Sequence, residues 1–204
     1  MKKITKIFFA GLLTVGFGFA AQAQEANGQG SNTITTSANV LGLIEVTNEE
    51  NLNFGQVMPG FAKFVPMIID QNTSVLSSSQ GTVNTENVTS GLFHVFAAAG
   101  SSIALSFEVE PLKLKEGTDV LALDFNKGLA ADGTTTTLGW STLGTTATVT
   151  KLEIDGTNEI DSFPSNQIEG KNGIYVHIGG TVRPTGTQAP GEYEGSLTLT
   201  AVYN

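Results

Sequence analysis

Two histidines, the glutamates Glu108 and Glu110, and one oxygen-rich turn are the residues whose types and spacing suit chemistry. His94 and His177 lie in apolar runs, Phe93-His94-Val95-Phe96 and Tyr175-Val176-His177-Ile178. A metal centre on them would need two or three further nitrogen or oxygen ligands converging from elsewhere in the chain. Two solitary strand histidines are the plainer account. Glu108 and Glu110 are two residues apart, so on a strand their carboxylates share a face with backbones about 7 Å apart. Paired carboxylates at such a separation can serve glycoside hydrolysis, but beside Pro111 they read more simply as a solvated edge. The run from Asp155 to Asp161 offers oxygen ligands for calcium. It lacks the alternating ligands and distal bidentate glutamate of the helical calcium loop, and reads as an acidic hairpin turn.

Other signatures are weaker. Trp140, Tyr175 and Tyr193 would suit a sugar-binding surface if their faces were presented together, although lone aromatics in sandwiches are usually core. Gly16-Phe17-Gly18-Phe19-Ala20-Ala21 spells a dinucleotide fingerprint without its strand–turn–helix context. There is no nucleophile elbow and no Gly-x-x-x-x-Gly-Lys loop. The absence of cysteine excludes thiolate catalysis, Cys-ligated zinc and iron–sulfur clusters. The expectation is a chain that is not an enzyme, with no catalytic, metal or cofactor-binding residues. A second reading is a carbohydrate- or calcium-binding module using the 128–163 loops and Trp140.

The elements that would carry these residues are strands. No window of a dozen residues beyond the N-terminus has apolar residues at helical spacing. Short β-rich runs separated by turn residues cover 38–46, 92–97, 102–109, 120–125, 147–154, 174–182 and 194–203, with weaker ones at 52–57, 64–70 and 111–115. Asp132-Gly133 and Asp155-Gly156 favour tight turns, and Pro59-Gly60 and Pro190-Gly191 mark sharp reversals. Residues 128–146, rich in Gly and Thr, read as a long loop or an edge hairpin. The fold class is all-β, a sandwich of antiparallel sheets.

The N-terminus reads as an address. Lys2, Lys3 and Lys6 precede an apolar stretch from Ile7 to Ala21, and Ala21-Gln22-Ala23 supplies a cleavage site. The stretch is shorter than the roughly 20 residues that span a bilayer, and three glycines interrupt it. Residues 1–23 are therefore expected to be a cleaved signal peptide, 24–37 a flexible polar lead-in, and 38–204 the sandwich. No cysteine follows Ala23, so bacterial lipid attachment there is excluded. Cleavage leaves 204 less 23, or 181, residues and removes three of the ten basic residues, against nineteen acidic. That balance disfavours nucleic acid and anionic membranes as partners. The expected destination is the periplasm, the cell surface or the medium, with no membrane span after cleavage.

The final strand is the best patterned. Leu197, Leu199, Ala201 and Tyr203 fall on one face, and Ser196, Thr198, Thr200 and Val202 on the other.

Three segments carry a family resemblance. The first is Asn39-Val40-Leu41 leading to the run from Asn51 to Gly60. The second is Gly91 to Phe96, then Ile103-Ala104-Leu105. The third is Ile178 to Val182, then Gln188 to Gly195, ending in Val202-Tyr203-Asn204. Together they resemble the bacterial secreted family called domain of unknown function 4402, over most of residues 38–204. That family is similar in turn to fimbrial subunits and spore-coat-U-like pilins with immunoglobulin-like folds. In chaperone–usher pilins a Gly fourteenth from the C-terminus and a penultimate Tyr frame the last strand. Gly191 and Tyr203 hold those positions in this sequence. The resemblance implies an immunoglobulin-like sandwich whose last strand, with Gly191, Leu197, Leu199, Ala201 and Tyr203, pairs with a periplasmic chaperone or with another subunit. It implies a structural or adhesive role.

Overall fold

The computed structural model describes residues 13–18, 33–38, 40, 42–67, 87–125, 136–144 and 149–204. Strands are numbered along the chain. The chain divides into two compact units, Met1–Gly42 and Leu43–Asn204. In the first, β1 (Leu13–Gly18) pairs antiparallel with β2 (Thr33–Ala38), with Phe17 opposite Ile34. The polar lead-in expected over 24–37 therefore contains a strand from Thr33, because a run of Thr and Ile suits extended backbone whatever its polarity. The second unit starts at Leu43.

The second unit is an antiparallel sandwich, and no helix occurs among the described residues. One sheet runs β12 (Thr150–Lys151), β11 (Leu138–Ser141), β15 (Lys171–Ile178), β7 (Gly91–Phe96), β3 (Glu45–Glu50), with β14 (Gln167–Ile168) also on β15. Opposing it are β13 (Asn158–Ile160), β8 (Ile103–Val109) and β18 (Leu197–Tyr203). A further sheet runs β17 (Tyr193–Glu194), β9 (Leu112–Leu114), β10 (Val120–Asp124), β16 (Gly180–Arg183), β5 (Lys63–Val65). The short strands β4 (Asn53–Phe54) and β6 (Val88–Thr89) pair with each other. Alternation builds the main core. Val95, Ile174, Val176, Ile178 and Leu138 from one sheet meet Ile103, Leu105, Ile160 and Leu199 from the other. A second cluster, Phe54, Val65, Leu121 and Val182, lies under the third sheet. No helix of the described residues is long and apolar enough to cross a membrane.

Several strands differ from the sequence reading at points where backbone meets backbone. The run 174–182 is two strands in two sheets, broken at Gly179. A Cβ there would lie 2.5 Å from Met67 N and from Val65 O. The run 194–203 breaks at Gly195-Ser196, opposite a break at Glu110-Pro111. A Cβ on Gly195 would lie 2.7 Å from the Glu110 carbonyl oxygen. The expected strand 38–46 begins at Glu45 instead, after Val40 and Leu43, which are 85% and 95% exposed and so have nothing to pack against. The run 147–154 shrinks to Thr150–Lys151, and 64–70 becomes Lys63–Val65; 145–148 and 68–70 lie outside the described residues. The Gly/Thr-rich segment 128–146 is not all loop. Leu138–Ser141 is an interior strand between β12 and β15, with Leu138 fully buried. Its Gly139 admits Val149 and the Thr150 carbonyl where a side chain would stand. Asp132-Gly133 lies outside the described residues.

Candidate functional site

The residues singled out for chemistry are scattered over the sandwich. His94 and His177 occupy the outer face of the six-stranded sheet, flanking Tyr175. The His94 ring meets Tyr175 edge-on at 4.9 Å, and the His177 ring stacks on it at 6.1 Å. His94 Nδ1 lies 3.4 Å from Glu49 Oε1, within ion-pair reach but without hydrogen-bond geometry. His177 Nε2 is 2.9 Å from Ser141 Oγ. That distance suits a nucleophile–base pair, yet Ser141 is buried and gives its own proton to the Leu143 carbonyl at 2.5 Å. The serine oxygen is thus left as an acceptor for the imidazole, and Ser141 is not poised to give its proton to His177. No group of three or more His, Cys, Asp or Glu side chains able to hold a metal occurs among the described residues.

Burial lowers the pKa of His177, with nearby His94 adding to the effect and the Leu143 carbonyl opposing it. The folded chain therefore resists a proton that the unfolded chain accepts below its ordinary value of 6.5. Stability is fully present above that pH. It falls as pH drops from there towards the lowered folded value, by at most about 1.4 kcal/mol per unit for one proton. Urea midpoints at pH 7.5 and 5.0 are expected to differ less for His177→Gln than for the wild type. An unchanged difference would remove His177 from the account.

Glu108 and Glu110 stand against different residues. The strand ends between them at Val109, and Glu110 accepts a hydrogen bond from Ser196 Oγ at 3.1 Å, while Glu108 stands opposite Thr198. The acidic turn is a corner, not a hairpin, because β12 and β13 on either side of it belong to different sheets. Asn158 fills this corner. Its Oδ1 accepts from Glu153 N at 2.7 Å, and its Nδ2 donates to the carbonyls of Glu153, Leu105 and Gly156 at 3.0, 3.3 and 3.4 Å. Asn158→Ala is expected to cost roughly 2 kcal/mol, because several backbone groups lose their partner at once. Calcium should not restore the loss in a melting experiment. The three aromatics form no common surface. Trp140 packs on the main core, Tyr193 on the second cluster, and Tyr175 between the histidines.

The described residues also frame a large concavity. A cleft of about 1190 Å³ opens between the end of β3 with the loop through β4, and the segment that leads from β16 through β17 into β18. Its apolar floor includes Phe54, Phe93, Leu121, Leu123, Ile178 and Val182. That volume exceeds the roughly 300–1,000 Å³ of ordinary small-molecule pockets. Gly191 lines it with φ +147, and a Cβ there would lie 2.4 Å from Leu114 Cδ1. Gly191 thus lets the segment lie flat over Leu114. Of the other residues named on the final strand, Leu197 also lines the cleft. Leu199 is buried in the main core, with Ala201 and Tyr203 packed against it, and Tyr203 Oη accepts from Ala98 N at 3.1 Å.

Two strand edges border this region. Among the described residues β3 pairs only with β7, and β18 only with β8. These two edge strands approach within 8 Å at Cα. The outward residues Thr198, Thr200 and Val202 are exposed, as the alternation requires. Residues 195–204 hold neither charge nor proline, the usual protections of an edge. β18 is legible in the sequence but the cleft is not, because its walls come from segments as far apart as 48 and 197. Lys63, which is 4% exposed, carries no local signal of its burial either. Burial lowers its pKa, and its Nζ donates to the Gln56 carbonyl at 3.0 Å, tying β5 to the cleft wall.

The family model described as Domain of unknown function (DUF4402) matches residues 44–203, nearly the whole second unit. The chain belongs to this family. No curated protein matches it. Both frames of the cleft, residues 48–59 and 184–197, fall inside the matched DUF4402 segment.

Proposed function

We propose that this chain is an exported, non-enzymatic structural or adhesive surface protein, an immunoglobulin-like, pilin-like subunit whose sandwich takes up an extended strand from another molecule. The observation that carries the reading is the β18 edge. It is seven residues long, uncharged, free of proline, paired on one side only among the described residues, and set beside an apolar cleft. An edge of this kind is a template for β-augmentation, in which main-chain hydrogen bonds give affinity and pockets for alternate side chains give selectivity. The signal-like N-terminus supplies the route to the surface, and the absence of cysteine fits stability by packing alone.

The test uses protein purified from the cell envelope after the leader is removed. Wild type is expected to run in mild detergent as assemblies larger than one chain. Thr200→Lys with Val202→Lys, which adds charge to the exposed face without touching the core, is expected to run as a monomer with an unchanged melting temperature. A wild type that leaves the envelope as a clean monomer would defeat the proposal.

A further inference from the structure

The cleft has a sign. Its charged lining residues are Glu50, Glu110, Glu192 and Glu194, and no Lys, Arg or His among the described residues lines it. Lys115 pairs with Glu192 at 2.9 Å and Glu194 at 2.6 Å, one ammonium against two carboxylates. Glu110 is held by a neutral hydroxyl, that of Ser196. An apolar floor under a net acidic rim favours a ligand with the reverse pattern.

Resting on the strand-accepting reading above, we propose that the occupant of this cleft is an extended segment of a different polypeptide, with apolar residues at alternate positions and Lys or Arg at its flanks. The alternate residues would enter the floor between Phe54, Leu121 and Leu123. The flanking cations would reach Glu50 on one side and, on the other, the Glu192–Glu194 pair with Glu110, which Ser196 holds beside them. A second copy of this chain is the poorer fit. Its residues 26–44 carry no charge of either sign, and the chain as a whole has nineteen acidic residues against ten basic.

The experiment measures binding of fluorescent peptides to the leader-free protein by anisotropy. Three probes are compared: alternating Val and Thr flanked by two Lys at each end, the same core flanked by Glu, and residues 28–44 of this chain. The Lys-flanked peptide is expected to bind about tenfold more tightly than the Glu-flanked one at low salt, with the gap closing as salt rises. Glu50→Gln with Glu110→Gln, both exposed positions, should keep the melting temperature and lose most of that preference. Equal binding of the Lys- and Glu-flanked peptides would overturn the basic partner, as would tighter binding of residues 28–44, while leaving strand acceptance intact. Failure of all three to bind would overturn the proposal. The envelope assemblies of the preceding test then show separately whether strand acceptance falls with it.

Discussion

A chain lacking residues 195–204 is expected to show no cooperative unfolding transition. The deletion removes all of β18, including buried Leu199 and the core-packed Leu197, Ala201 and Tyr203. Loss of one buried Leu side chain costs about 2–5 kcal/mol, against a total stability of about 5–15 kcal/mol for a domain of this kind. Four core-facing residues go together, and the damage extends beyond them. β8 loses its β18 neighbour from Ile103 to Val109 and keeps β13 only at Ile103–Leu105, the Ala98 amide loses the Tyr203 hydroxyl, and Leu105 gains access to solvent. Near-UV circular dichroism on heating checks this. A truncated chain that melts within a few degrees of wild type would show the strand to be dispensable. Addition of a peptide of residues 195–204 should restore the transition, since the groove along β8 would then be refilled.

Gly179→Ala is the single substitution expected to do most harm. A new Cβ would meet Met67 N and Val65 O at 2.5 Å and Pro66 C at 2.6 Å, all main-chain atoms that cannot rotate aside. Gly179 N also donates to the Thr137 carbonyl at 2.6 Å, which fixes the point where β15 ends and β16 departs into another sheet. Overpacking against backbone at such a junction should destabilise by about 3 kcal/mol or more, or about 10 °C in melting temperature for a unit of this size. Gly42→Ala, with nothing within 4 Å of its Cβ, is the control and should be neutral. A Gly179→Ala protein that melts with the control would mean the loop at Pro66 yields freely.

What could be read from the sequence was set by local pattern. The alternation in β8, β15 and β18 is a period-two signal with strong apolar residues, so these strands and their buried faces were legible. Leu138–Ser141 was not, because Thr-Leu-Gly-Trp-Ser has a glycine where a neighbouring strand crowds the backbone, and glycine reads locally as loop. The break at Gly179 was hidden for the converse reason. Ile178 and Val182 extend the apolar run on both sides, and only the approach of Met67 and Val65, over a hundred residues away, divides it. His177 and Ser141 were invisible as a pair, since cross-strand registry joins them. The cleft was illegible altogether, being a gap between sheets and not a property of any segment.

The pairing of β8 with β18 also sets a tempo. Its registers join Val109 to Leu197 and Ile103 to Tyr203, separations of 88 and 100 residues. Closing loops of that length before any contact rewards them places folding in the slow, millisecond-to-second regime of nonlocal β topologies. Until β18 docks, the apolar face of β8 and the floor of the main core stand open, and the chain is a target for aggregation. Higher yields of folded protein are therefore to be sought at low temperature and low rates of synthesis, where the open intermediate is dilute.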